Sequence, residues 1–489
     1  MASNQSKLNT MITMLQKINT ADIESFIFSR STFINDVMYF DNYTKINDGK
    51  PLPWELEIIT MCYIMGYLGR KNGQGGYSLS SKNGRNILNK LQKFIKDGQD
   101  DFPKEEIYKV FSKMLIQQNE FQKEFNNLIY RYSYIYNFRS TNIRGNEIDI
   151  PKYFIKKFGY SYQEHEKFIF LCHALLTLHN KTNFKEVMCS HLSYHKNIVS
   201  NISETITQIN EYQSRELIKV NYDWVYVFKT INVFPVIYSE KGQYNLLLPH
   251  RLIYSLTDGF VNKFTRFKPI IRENLGYAIQ DYLVSILKSS KYFDFVIPEQ
   301  LIDNCPDVIC CKDNYMICFE SKLHVFKNAD RSMNFTEVDE DYIEFLEQIE
   351  KSYSIAHKIL EDESNISVNK EKTYFILCVM ESSQVNIKDI IDSYAKVVGF
   401  FYDDRNRLEY LYNHLIIIDY NIVELFFLYD NCTFLEDLIA MKTNTQTRFD
   451  FFFKKSNNGK LLDQYVKQFD KKIESLRVEA EKLPYLSSC

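Results

Sequence analysis

FDFVIPEQLIDNCPDVICCKDNYMICFESK, residues Phe293 to Lys322, is the stretch on which the reading of this chain turns. Two apolar runs, Val308–Cys311 and Tyr315–Phe319, flank the pair Asp313-Asn314. Short apolar runs bounded by Asp and Asn predict strands, and a two-residue polar connection predicts a hairpin. With Asp313 and Asn314 as the turn, Lys312 pairs with Tyr315, and counting back sets Asp307 opposite Glu320. Opposed residues have Cβ atoms roughly 4.5–5.5 Å apart on one face of the sheet. Lys322 is two residues beyond Glu320, so strand alternation returns it to that face.

Two carboxylates this close repel, and one tends to protonate unless a cation lies between them. A hard divalent ion such as Mg²⁺ suits such a place, using one or two carboxylates, waters and substrate phosphate oxygens. It acidifies a bound water and steadies charge on a phosphodiester, and a lysine alongside can orient that water or hold a phosphate oxygen. A surface hairpin with a charged rim would carry the same residue types, because an ExK triplet alone is common in charged chains.

Pro306-Asp307 followed by Glu320-Ser321-Lys322 resembles the PD-(D/E)xK nuclease superfamily over about residues 267–420. The resemblance implies an α/β restriction-endonuclease-like core, with a mixed central sheet flanked by helices. It also implies Mg²⁺ or Mn²⁺ held by Asp307, Glu320 and the backbone carbonyl of Ser321, with Lys322 assisting the hydrolytic water. A helix precedes the hairpin in that family and often adds an acid. The predicted helix over 269–287 offers Glu273 and Asp281, with Gln280 where relatives carry Glu; Asp281 reads better as a solvated residue. Gly276 would let this helix approach the sheet closely. Glu299 is a further candidate ligand that reads more naturally as a turn residue. Gln348 and Tyr353, on a predicted helix over 339–360, resemble a Gln–Tyr pair of exonuclease-like members at a spacing one residue off.

Outward from this core, the continuous apolar run Tyr374–Met380 predicts a buried strand, and strand, helix, strand implies a right-handed parallel crossover. A helix over 387–398 and a strand over 415–419 continue the pattern. From about Lys7 to Ile209 the spacing is mostly helical. A β-rich connecting segment is expected over 216–262, the nuclease domain over 263–450, and a C-terminal helix over 451–489. The expected fold class is therefore α+β and multidomain, with a mostly helical N-terminal half over 1–215 that serves target selection, regulation or assembly.

Composition bounds the rest. At 489 residues, with 45% hydrophobic and 25% charged residues, the chain has the makeup of a globular protein of two or three domains. A net charge of −3 leaves no global basic field, so nucleic-acid binding would rest on local patches, a metal or a partner. Ten cysteines without framework spacing read as buried thiols of a reducing, cytoplasmic setting. No signal peptide or membrane span is evident. A glycine-rich loop over 69–84 reads either as a phosphate cradle of backbone amides, with Ser80 or Ser81 capping the helix that follows, or as a plain loop. His165, His173, His179, His191 and His195, with Cys172 and Cys189, raise zinc, but only His191/His195 have one-turn spacing, and core or surface histidines are preferred.

The function these readings favour is a Mg²⁺-dependent nuclease, acting on DNA more than RNA, with anti-phage defence or restriction as a role by analogy. A partner protein or homo-oligomer is compatible with it. The alternative is a catalytically inactive nuclease-fold protein that binds nucleic acid or a partner. An accidental hairpin motif on an interaction protein is the third.

Overall fold

The structure is a computed structural model that describes residues 4–39, 53–67, 76–100, 125–177, 184–219, 234–239, 242–265, 268–323, 340–380, 405–429, 433–441 and 462–480. It is a helix-rich α+β protein with mixed and antiparallel sheets. Contacts group the chain into two compact units: residues 1–122, 154–264 and 474–489 form one, residues 123–153 and 265–473 the other. The second unit takes in 123–153, which the sequence reading placed in the helical half, and the break at 264–265 falls close to the expected limit at 262.

The first unit is built on the helix Pro53–Tyr67, whose residues Leu56 to Ile64 are all buried. A helix apolar on every side belongs inside a core, and here the helices Asn4–Leu15, Thr20–Tyr39 and Lys82–Asp100 pack around it. The one acid in that run, Glu57, is buried and meets Arg251 and His250, with the Ser31 hydroxyl on the other nitrogen of His250. The segment expected to be β-rich is only partly so. Val236–Tyr238 and Tyr244–Leu246 pair antiparallel around a turn at Gly242, and Ser203–Glu204 adds a parallel strand. Pro249–Leu256 and Asp258–Thr265 are helices, and residues 220–233 lie outside the described ones. The expected helix over 387–398 also lies outside them.

The second unit contains α1 (Phe125–Tyr136), α2 (Pro269–Ser290), β1 (Phe295–Pro298), β2 (Val308–Lys312), β3 (Tyr315–Lys322), α3 (Glu340–Ser364), β4 (Thr373–Val379), α4 (Arg405–His414), β5 (Leu415–Asp419), α5 (Tyr420–Phe427), α6 (Phe434–Met441) and most of α7 (Asp463–Ala480). A short hairpin, Arg139–Thr141 with Glu147–Asp149, follows α1. The five strands form one sheet in the order β5-β4-β3-β2-β1. The β1/β2 and β2/β3 pairs are antiparallel, and β3/β4 and β4/β5 are parallel. The hairpin closes as predicted: Asp313 (φ 50°) and Asn314 (φ 61°) are both left-handed, the geometry of a two-residue turn that matches strand twist, and Lys312 pairs with Tyr315. β1, to which the sequence reading assigned no residues, adds an edge that ends at Pro298, a residue edge strands tolerate.

Alternation gives the sheet two faces. Ile309, Cys311, Met316, Cys318, Phe375 and Leu377 pack with Ile349, Ala356 and Leu360 of α3. Phe319, on the opposite face, joins Phe293, Phe427 and Phe434 in an aromatic cluster. β4 is buried along its whole length, as a central strand covered on both faces must be. α2 starts with Pro269 in its first turn and ends at Lys291 in the left-handed conformation; Ile271, Leu275, Ile279, Tyr282, Leu283 and Ile286 are all buried. Gly276 is not the close-approach residue it was expected to be, since a Cβ there would meet nothing within 4 Å.

Under this face lies a buried ion pair. Arg131 of α1 donates from Nε and Nη2 to the two oxygens of Glu424, both at 2.7 Å, and from Nη2 to Asn421 at 2.7 Å. Tyr282 donates to Glu424 at 2.9 Å. Both charged side chains are fully buried. Removing one partner strands a charge in the core, so Arg131→Met is expected to cost about 3–5 kcal/mol, read by urea denaturation, and Arg131→Met with Glu424→Leu to cost less than the single change.

Candidate active site

The register carries the charged rim. Val308 pairs with Phe319, so the next step outward sets Asp307 across from Glu320; Pro298 pairs with Val308, so the same step sets Glu299 across from Asp307. The Glu299 N–H donates to the Asp307 carbonyl at 2.8 Å, which continues the β1/β2 ladder by one bond. Glu299, Asp307 and Glu320 therefore stand in a row on the α3 face, at the end of the sheet away from the Asp313-Asn314 turn. Lys322 is on that face too, and its Nζ lies 2.9 Å from Glu320 Oε1.

Asp307 is the middle acid. Burial raises its proton affinity well above the ordinary carboxylate range, and the charge of Glu320 raises it further; donation from the Ser321 N–H and the charge of Lys322 oppose this, while Glu299 adds to it. The Ser321 N–H reaches Asp307 Oδ2 at 2.6 Å. Cys305, two residues away, reports the same local field: burial pushes its thiol up, and Glu299, Asp307 and Glu320 push it higher. Asp307, Glu320, Ser321 and Lys322 are thus brought together, with Lys322 about one third exposed and Glu320 less so.

The other candidates are placed differently. Glu273 is exposed near the start of α2, two turns before Gln280, and is not among the largest influences on Asp307. Asp281 is exposed and accepts from Tyr134. Gln348 falls within α3, but its side chain lies outside the described residues. Gln280 is the α2 residue that reaches the rim: its amide donates to Glu299 Oε2 at 2.8 Å. Sequence reasoning set Glu299 aside as a turn residue. The signal that recovers it is the run Phe295–Pro298, a further short strand whose antiparallel register aligns Glu299 with Asp307.

Among their described residues, the remaining motifs make contacts within the fold. In the glycine-rich loop, residues 68–75 lie outside the described ones. The described part already holds an anion: Asp22 Oδ2 accepts from the Ser78 hydroxyl and the Leu79 N–H, both at 2.7 Å. Ser81 caps the following helix through the Gly84 N–H, and a Cβ on Gly84 would sit 2.1 Å from the Ser78 carbonyl oxygen. His165 is buried and bonded to the Leu256 carbonyl at 2.8 Å, and burial pushes it down to about 4. His191 and His195 lie ring to ring at 4.8 Å beside Phe168, and burial pushes His191 down to about 3. His179 lies outside the described residues.

Among the described residues no group of three or more His, Cys, Asp or Glu side chains is arranged to hold a metal ion. The rim is a sparser site. Its donors are carboxylate oxygens, and its middle acid resists ionisation where it stands. Two carboxylates completed by water and phosphate oxygens are the usual Mg²⁺ arrangement, and a cation would relieve the repulsion in the row. The residues present fit a hard divalent ion. No family model, no curated protein and no solved structure matches the chain.

Because the fold raises the Asp307 pKa, ionisation of this group costs stability once pH rises above its unfolded-state value near ~4, and the cost grows until pH passes the folded value. Asp307→Asn is expected to be more stable than the parent at about pH 8, with the difference vanishing near about pH 4. Urea denaturation across that range measures it, and added Mg²⁺ should stabilise only the parent.

Proposed function

We propose that this chain is a Mg²⁺-dependent nuclease that hydrolyses phosphodiester bonds, DNA more than RNA. The observation that supports it is the alignment of Asp307 with Glu320, on one sheet face, with Lys322 paired to Glu320. The element order supports it too: a helix, an antiparallel hairpin, a helix and a parallel central strand make the core a restriction-endonuclease-like one in this reading. Asp307 and Glu320 would hold the ion, with the Ser321 carbonyl as a further oxygen. When bound, the ion supplies Lewis acidity toward the phosphate and a more acidic water.

The chain's own groups do the rest. Lys322, which neutralises Glu320 in this structure, holds a non-bridging phosphate oxygen or orients the water that adds to phosphorus as the alcohol leaves. Ser321 N–H keeps one Asp307 oxygen fixed. Gln280 holds Glu299 by a hydrogen bond, and Glu299 contributes negative potential beside Asp307. No helix among the described residues is long and apolar enough to cross a membrane. A restriction or anti-phage role is the setting this activity suggests by analogy.

Purified protein is expected to cleave DNA with Mg²⁺ or Mn²⁺ and to stop on chelation. Asp307→Ala, Glu320→Ala and Lys322→Ala should each lower the rate at least about 100-fold. Metal-dependent cleavage of neither DNA nor RNA by the parent protein would favour a non-catalytic protein that binds nucleic acid or a partner.

A further inference from the structure

The face of β3 opposite the charged rim carries a second set of contacts. Ser321 stands between Glu320 and Lys322, and alternation turns its side chain to the other side of the sheet. There its hydroxyl lies 2.6 Å from the hydroxyl of Tyr420, the first residue of α5. The Tyr420 hydroxyl donates to the Ile279 carbonyl of α2 at 3.3 Å, so the Ser321 hydroxyl is the donor to Tyr420. Tyr420 is fully buried. Its ring stacks with Tyr282 at 6.2 Å and lies 5.7 Å from the guanidinium of Arg131, which the Glu424 carboxylate holds. The chain of bonds from Ile279 through Tyr420 to Ser321 continues through the Ser321 N–H to Asp307 Oδ2.

We propose that Tyr420 is a positioning residue for the Asp307–Glu320 site: its hydroxyl ties Ser321 to the α2 and α5 layer and so sets the distance between the two carboxylates. This rests on the reading of the rim as a divalent-cation site. The hydroxyl of Tyr420 is hydrogen-bonded to Ser321 and Ile279, so its bonded link to the carboxylates runs through Ser321. At this end β3 keeps its parallel ladder with β4 out to Lys322, while β2 stops pairing at Val308. The Ser321–Tyr420 bond is the side-chain anchor on the strand where the ladder on one side has ended.

Mn²⁺ binding to the full chain by titration calorimetry tests this, beside thermal unfolding and cleavage kinetics. Tyr420→Phe and Ser321→Ala should each weaken Mn²⁺ binding roughly threefold to tenfold, the size expected for one hydrogen bond. Each should lower kcat with KM for DNA unchanged. The double variant should be no worse than the weaker single one, since both remove one interaction. Ser321→Thr, which keeps the hydroxyl, should restore binding. Parent-like Mn²⁺ affinity in both single variants would overturn the proposal, as would losses that add in the double variant or a Ser321→Thr that behaves like Ser321→Ala. If the parent itself binds Mn²⁺ no better than Asp307→Asn, the cation-site reading fails, and this proposal with it.

Discussion

Like charges directly opposite one another on neighbouring strands cost free energy, and the rim places three in a row: Glu299, Asp307 and Glu320. The fold accepts this only through specific compensation. Lys322 neutralises Glu320, the Ser321 N–H holds Asp307, and the Gln280 amide holds Glu299. Each acid thus has a partner of its own. The middle acid remains hard to ionise, which is the condition a divalent cation would relieve.

What permits such a rim is a rigid sheet beneath it. β4 is buried on both faces, β3 lies between it and β2, and the two-residue turn removes freedom to slip. A slip by one residue would carry Asp307 to the opposite face. The register is pinned by apolar residues on both sides, Ile309, Cys311, Met316 and Cys318 toward α3 and Phe319 toward the aromatic cluster. The Arg131–Glu424 pair then joins α1 and α5 below the sheet. A buried pair of this kind adds little net stability but fixes which partners meet, so it specifies the packing of α1 as much as it strengthens it.

Much of this was legible in residue order because it depends on near neighbours. Asp313-Asn314 tolerates left-handed backbone, so the hairpin and the Asp307–Glu320 alignment follow from counting. The stripes of α2 and α3 follow from helical spacing, and β4 from an unbroken apolar run. Weak local signals were less informative. Phe295–Pro298 is only four residues long and ends in proline, so its pairing, and the place of Glu299, required the coordinates. The glycine-rich loop read as suited to phosphate from its own residues alone, which do not disclose that Asp22, more than fifty positions earlier, accepts from the Leu79 N–H at its end.

The sequence by itself determined α2, α3 and the strands β2 to β5, the turn chemistry of the hairpin and that Asp307 and Glu320 share a sheet face. These are set by alternation and backbone preference over a few residues. Only the tertiary structure decided that Glu299 and Gln280 belong beside Asp307, that Glu273 does not, and that Tyr420 and Arg131 stand behind Ser321. Those juxtapositions join residues far apart in the chain, Arg131 and Glu424 by 293 positions. They arise from how helices close over a sheet, which no local pattern encodes.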